Sequence, residues 1–173
     1  MNQVLDVLKQ RRSVRAYQPR QVDEATLQLI LEAGTYAPTG MGKQSPVMVA
    51  VQASETVALL SRLNANVMGT DTDPFYGAPT VVVVLADPER PTHIYDGSLV
   101  MGNLMNAAFS LGVDSCWIHR AREVFALPEG KALLRQWGLP ENLVGIGHCI
   151  LGYRKGDLPS PAPRKGKYIT LIR

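Results

Sequence analysis

An arginine-rich segment near the start of the chain carries the clearest chemical signal in this sequence. Arg11, Arg12 and Arg15 lie close together with Ser13, directly after a short apolar stretch. A guanidinium presents a planar set of N–H donors that fits phosphate oxygens, and it stays charged at any working pH. The serine hydroxyl adds a further donor. This segment predicts a site for a phosphate, such as that of a bound cofactor.

A second basic cluster lies near the other end of the chain. Arg164 and Lys165 belong to the proline-rich stretch 153–167, with further basic residues around them. If the fold brings the two clusters together, they form one anionic site. As an alternative, each cluster is a solvated basic surface, and on the residues alone the two interpretations of the first cluster are about even. A tail that touches nucleic acid is disfavoured, because few aromatic residues interleave with its charges.

Two further segments carry groups that suit a ligand. Loop 35–45 contains glycines that permit close backbone approach, and Gln44 offers a donor and an acceptor to a heterocycle edge. On spacing alone this loop is more simply a helix-to-strand connection. A predicted strand farther along ends in Cys116, Trp117, Ile118 and His119. His119 is a candidate general acid, although a lone histidine is more often structural or exposed. The thiol of Cys116 is more typical of core packing than of redox chemistry.

Composition narrows the class of protein. The 173 residues, 46% hydrophobic and 19% charged, are typical of one compact globular domain, which we expect over 1–173. The net charge of +3 suits an anionic ligand and is too small to argue for nucleic acid. No apolar run is long enough to span a membrane, the start does not resemble a signal peptide, and the three histidines lack metal-ligand spacing. Both cysteines lie in apolar runs, which indicates a reducing compartment, the cytoplasm by default.

Hydrophobic periodicity predicts helices with interspersed strands. Helices are predicted over 1–10, 23–33, 54–64, 95–111 and 129–137, and strands over 46–52, 80–86, 113–119 and 143–152. Asp23 is expected to cap the second helix and Gly34 to end it. Residues 153–167 predict an extended arm, and 168–172 alternate like a further strand. This order predicts a three-layer α/β or α+β domain.

Taken together, these segments resemble the nitroreductase family of flavoproteins, the FMN-dependent NAD(P)H oxidoreductases. The resemblance covers essentially the whole chain. It rests on the order and spacing of Arg11 to Tyr17, Ala37 to Gln44, Ala107 to Ile118, and Gly147 to Lys165. It implies an α+β three-layer sandwich with a mixed central sheet flanked by helices. It also implies an intertwined homodimer with FMN at the subunit interface, in which the arm 153–173 packs on the partner.

The resemblance assigns roles to the candidate residues. Those that would hold the FMN phosphate and ribityl chain are Arg11, Ser13 and Arg15, with Arg12 alongside and Arg164 and Lys165 completing the phosphate site. Gln44, on a loop contributed by the partner subunit, would meet the flavin ring or ribityl chain. The ring would lie near Cys116, Trp117, Ile118 and His119, where family members aim a backbone N–H at the reactive N5.

One departure from the family pattern concerns the flavin ring. Gly42 stands where many members carry asparagine, and Ser45-Pro46 replaces a Pro-Trp pair, so one side-chain contact to the flavin is absent. The chain is also shorter than many members, which implies a small cover over the substrate and loose substrate choice.

The implied activity is transfer of a hydride from NAD(P)H to flavin N5. A small electron-poor acceptor, such as a nitroaromatic or a quinone, would then take the electrons in a ping-pong sequence. An FMN carrier or sensor without NAD(P)H turnover is the alternative, and a nucleic-acid-binding domain is the least favoured. Neither nucleic acid nor a membrane is an expected partner, and no side chain beyond His119 is a candidate acid or base.

Overall fold

The computed structural model describes residues 2–173, and its centre is a four-stranded sheet. The strands are β1 (Pro46–Val51), β2 (Thr80–Ala86), β3 (Asp114–Ile118) and β4 (Val144–Gly152). Their spatial order is β1-β2-β4-β3, and every neighbouring pair is antiparallel. Parallel pairing within the described residues is limited to an isolated bridge between Ser13 and Ser115 at the free edge of β3. Within residues 2–173 the sheet is therefore antiparallel rather than mixed, and the fifth candidate, 168–172, does not join it.

Helices cover both faces of this sheet. They are α1 (Gln3–Gln10), α2 (Glu24–Thr35), α3 (Ser54–Met68), α4 (His93–Ser110), α5 (Ala121–Val124) and α6 (Pro128–Gln136). The helices and strands predicted up to residue 152 are confirmed, with ends that differ by a few residues; Met1 lies outside the described residues. Helix α5 and a 3₁₀ turn at Gly40–Gly42 were not predicted, because helices of three or four residues are too short to show periodicity.

Of the two boundaries predicted for helix α2, the start is confirmed and the end is wrong. Asp23 caps its start, since the carboxylate accepts a hydrogen bond from the Thr26 backbone N–H at 2.9 Å. The Thr26 hydroxyl donates to the same carboxylate at 2.9 Å, and the two hydrogen bonds hold the pKa of Asp23 below its usual value. Gly34 does not end the helix. It is buried in the last turn, and the helix ends one residue later at Thr35. A Cβ built on Gly34 would lie 2.6 Å from the Met48 sulfur, so the residue permits close packing of α2 on β1.

Strand β2 divides the core into two layers. All of its residues are buried, as its β-branched run predicts. Val81, Val83 and Leu85 pack with side chains of α3, α5 and α6, whereas Val82 and Val84 pack with side chains of α2 and α4. The sheet is thus the middle of a three-layer α+β sandwich, and β3 remains an edge strand whose outer side is open to the arginine-rich segment.

The arm after β4 contains no helix or strand within the described residues. Its start is fixed by Arg154. The backbone of Arg154 forms an isolated antiparallel bridge with Tyr17, and its guanidinium donates to the buried Asp114 carboxylate at 3.1 Å. From residue 159 onward every residue is exposed. No helix of residues 2–173 has both the length and the apolar character needed to cross a membrane.

Candidate functional site

The two basic clusters lie together at a groove between the end of α1 and the arm. The groove has a volume of about 530 Å³, and its lining residues are Leu8, Lys9, Arg11, Arg12, Pro161, Ala162 and Arg164. Helix α1 is capped by the Asn2 side chain, and its last turn ends where the Arg11 N–H donates to the Val7 carbonyl. The chain therefore leaves the helix at the arginines, which turns them toward the arm. The groove is hereafter called the arginine groove.

Two of the arginines that line the groove carry buried donors without acceptors among residues 2–173. Nη1 of Arg11 and Nε of Arg12 are buried, and neither has a hydrogen-bond partner within residues 2–173. The Arg12 Nη1 group is satisfied, since it donates to the carbonyls of Lys9 and Arg11 at 2.8 and 2.7 Å. Leaving a buried donor unpaired costs about 1–3 kcal/mol, and more when it is charged. The arrangement therefore calls for an acceptor with negative charge, and a phosphate group fits it.

The segment that follows is held against β3. Val14 is buried, and its N–H donates to the Ser115 carbonyl at 3.1 Å. The Tyr17 hydroxyl donates to the Val14 carbonyl at 2.9 Å, and burial raises the pKa of Tyr17. Ser13 thus lies beside the edge strand, next to the arginine groove in sequence but outside its lining.

Some predicted phosphate ligands are not in the arginine groove. The Arg15 side chain is exposed and does not line it. Lys165 also lies outside it, with its ammonium 4.9 Å from the centre of the Tyr168 ring. Arg164 is present, although its Nε and Nη2 donate to the Ala162 carbonyl at 3.2 and 2.9 Å. Of the two clusters, Arg11, Arg12 and Arg164 therefore line one groove, and the others do not.

The predicted site residues at the end of β3 lie in two different environments. The side chains of Cys116 and Ile118 are buried in the core against α3 and α5, which leaves only their backbone for a ligand. Trp117 and His119 face a pocket of about 340 Å³, which we call the strand-end pocket. Because Cys116 is buried, its setting supports the packing interpretation of the thiol.

Gln44 lies in a different place. It lines a cavity of about 120 Å³ between α2, β1 and α4, separate from the arginine groove and the strand-end pocket. Its backbone has φ +50°, and Met41 in the same loop has φ +52°. Non-glycine residues in this left-handed region cost about 1–2 kcal/mol each, so the surrounding structure must hold the loop. Within a single chain, the structure does not bring Gln44 to the arginines.

Asp96 holds this loop and was missed by the sequence analysis. Its carboxylate is buried in the first turn of α4, where it accepts hydrogen bonds from the Gly40 N–H at 3.0 Å and from the Thr92 hydroxyl at 2.9 Å. Gly40 also packs so close to Thr92 that a Cβ there would lie 2.3 Å from its hydroxyl oxygen. An acidic residue inside an otherwise apolar helix was the signal available in the sequence.

We expect Asp96→Asn to loosen this loop while leaving the fold intact. The change replaces a charge-assisted hydrogen bond to Gly40 with a neutral one, which is worth about 1 kcal/mol less. Hydrogen exchange of the Gly40 amide should therefore accelerate about fivefold to tenfold, with the β2 amides unchanged. Equal acceleration in β2 would instead indicate global destabilisation.

Asn64 and His148 form a second polar pair that the sequence analysis missed. The Asn64 Nδ2 group donates to the His119 carbonyl at 2.7 Å and lies 3.5 Å from His148 Nδ1. His148 is fully buried between Phe75 and Phe125, and burial lowers its pKa to about 4. Asn64 thereby ties α3 to the end of β3. For both Asn64 and His148, the signal available in the sequence was a polar residue among apolar neighbours.

Comparison with known proteins agrees with this architecture. The sequence pattern of the Nitroreductase family matches residues 8–153. A protein of Archaeoglobus fulgidus named as an NADH dehydrogenase/NAD(P)H nitroreductase is 31% identical over 163 residues, covering 91% of this chain and 88% of its own. The fold is that of an α+β flavoprotein with a basic groove between its first helix and its C-terminal arm.

Two solved structures extend the likeness to the whole chain. A nitroreductase with bound FMN from Bacteroides fragilis is 34% identical, with a TM-score of 0.92 and full coverage of both chains. One with bound FMN from Desulfitobacterium hafniense is 26% identical, with a TM-score of 0.87 and the same coverage. The chain belongs to the nitroreductase family.

Proposed function

We propose that this protein is an FMN-dependent oxidoreductase that passes a hydride from NAD(P)H to a small electron-poor acceptor. The observation that carries the proposal is the arginine groove. Arg164 lines it together with Arg11 and Arg12, whose buried N–H groups lack acceptors within residues 2–173. Relatives of known structure that bind FMN, and one named for NAD(P)H, support the same activity. The free, buried thiols of Cys116 and Cys149 support a reducing compartment such as the cytoplasm.

The chain's part in the reaction is to bind and orient the cofactor. Arg11, Arg12 and Arg164 would hold its phosphate, with Ser13 and Arg15 supplying donors toward the ribityl chain. When bound, FMN supplies a ring that accepts a hydride and passes electrons on. The backbone at His119, tied to α3 through Asn64, would orient that ring at the end of β3. Lys165 would add positive charge to the phosphate site from the arm.

A homodimer would complete the site. Apolar side chains are exposed on three elements, and they are Val4, Leu5 and Leu8 on α1, Ile94, Tyr95 and Leu99 on α4, and Tyr168, Ile169, Leu171 and Ile172 on the arm. Exposed apolar surface of this extent is typical of an interface. Because Gln44 lies apart from the arginine groove of its own chain, it would serve the partner's FMN. Sedimentation should give a mass twice the 18.9 kDa of the chain.

The deciding experiment is anaerobic reduction of the FMN-loaded protein. We expect NADH or NADPH to bleach the flavin absorbance, and a nitroaromatic or quinone to restore it without oxygen. Because one site would serve both partners in turn, double-reciprocal plots at several acceptor concentrations should be parallel. Bound flavin that neither nucleotide reduces would point to an FMN carrier or sensor. Failure to bind FMN at all would contradict the proposal.

A further inference from the structure

The strand-end pocket combines apolar walls with cationic groups. Its lining residues are Ile94, Ser98, Trp117, His119, Arg120, Arg122, Glu123, Gly145 and Ile146. The apolar surface comes from α4 on one side and from β3 and β4 on the other. The charged residues follow directly after β3 and through α5. With a volume of about 340 Å³, the pocket is in the range of sites for small organic ligands.

The guanidiniums of this pocket are available to an anion. Within residues 2–173, neither Arg120 nor Arg122 forms an ion pair or a side-chain hydrogen bond. Glu123 also lines the pocket, and its carboxylate is paired with neither of them. The lining thus carries two unpaired positive charges against one negative charge, with His119 beside them. Such a lining attracts a ligand with negative charge.

The backbone at Arg120 gives a second reason to assign a ligand here. Arg120 has φ +71°, a conformation that glycine adopts freely and arginine adopts at a cost of about 1–2 kcal/mol. This residue directly follows His119, whose carbonyl is held by Asn64. The chain therefore places a guanidinium at a position where the backbone favours glycine, and strained backbone of this kind is concentrated at ligand-binding and active sites.

We propose that the strand-end pocket selects electron acceptors that are small aromatic carboxylates. With the flavin ring held by the backbone at His119, Trp117 and Ile146 would pack on the aromatic ring of an acceptor beside it, and Arg120 with Arg122 would pair with the carboxylate. The inference rests on the proposed oxidoreductase function and adds the class of acceptor. It predicts a narrower choice of substrate than the loose choice that the short chain implied.

The test compares 4-nitrobenzoate with its neutral isostere, methyl 4-nitrobenzoate, on the FMN-loaded protein. Each reduction to the nitroso compound consumes one NAD(P)H and one proton and releases NAD(P)⁺ and water, so NAD(P)H absorbance counts turnovers. We expect kcat/KM to favour the acid. In an Arg120→Gly, Arg122→Gln variant, kcat/KM for the acid should fall roughly 100-fold and that for the ester less than about threefold.

The variants are chosen to keep the fold. Arg120→Gly removes the guanidinium at a position whose φ suits glycine, and Arg62→Gln on α3 is a matched control outside the pocket. An equal fall for acid and ester would overturn the proposal. So would a selective change in KM for NADPH over NADH with the acid unaffected, because the guanidiniums would then serve the nucleotide's phosphate.

A binding measurement separates this inference from the proposed function. Benzoate, which cannot be reduced, should bind the FMN-loaded protein in calorimetry, with its Kd weakened at least tenfold in the double variant and unchanged in Arg62→Gln. If NAD(P)H fails to reduce the flavin while this pattern holds, only the oxidoreductase function fails. If the flavin is reduced and benzoate binding is unchanged in the variant, only the acceptor class fails.

Discussion

An Arg11→Ala, Arg164→Ala variant is expected to purify without bound flavin. Both side chains line the arginine groove, and each would give charge-assisted hydrogen bonds to the FMN phosphate. Hydrogen bonds to charged groups contribute about 1.5–3 kcal/mol each, so losing two arginines should weaken the Kd for FMN roughly 100- to 10,000-fold. Fluorescence titration of the apoprotein with FMN measures this change.

Unfolding of the apoprotein tests whether Arg11 serves to bind a ligand or to stabilise the fold. Its buried Nη1 has no partner within residues 2–173, so Arg11→Ala alone should leave the apoprotein's free energy of unfolding unchanged or raise it. Arg62→Ala on α3 is the matched control, with FMN affinity expected to be unchanged. Arg15→Ala should have a smaller effect than Arg11→Ala, because Arg15 lies outside the groove lining. Unaltered FMN affinity in the double variant would refute the phosphate role.

Stability of the apoprotein is expected to fall as pH drops below about 6.5, because of His148. Burial lowers the pKa of His148 from 6.5 to about 4 in the folded protein. Between these values the unfolded chain binds more protons than the folded one, so acidification favours unfolding. From pH 7.5 to pH 5 this linkage should remove about 2 kcal/mol from the free energy of unfolding.

Urea denaturation across this pH range measures the effect, and His148→Leu isolates it. The leucine keeps an apolar side chain between Phe75 and Phe125 and removes the titrating ring, so the slope between pH 7.5 and 5 should flatten. Asp23 does not interfere, because its pKa is lowered from the ordinary aspartate value of 3.8 and its stabilisation is lost only in more acidic solution. Parallel pH profiles for the two proteins would contradict this role of His148.

Local patterns in the sequence determined the elements and most of the chemistry. The valine run of β2 predicted a strand buried on both faces, and the Asp23 cap marked the start of α2. The arginine-rich segment indicated an anion, because guanidinium chemistry is the same in any fold. These predictions succeed since each depends on residues that are neighbours in the chain. Gly34 was misread for the opposite reason, because its packing on Met48 is not visible along the chain.

Tertiary structure alone decided which polar groups meet. Arg164 reaches the groove of Arg11 and Arg12, whereas Lys165 and Gln44 do not, and no spacing in the sequence separates these cases. Burial of His148, and with it the lowered pKa, likewise follows from side chains contributed by distant segments. Contacts between residues far apart in the chain depend on how the layers pack. For this reason the sequence indicated an anion, but only the fold decided which basic residues share a groove.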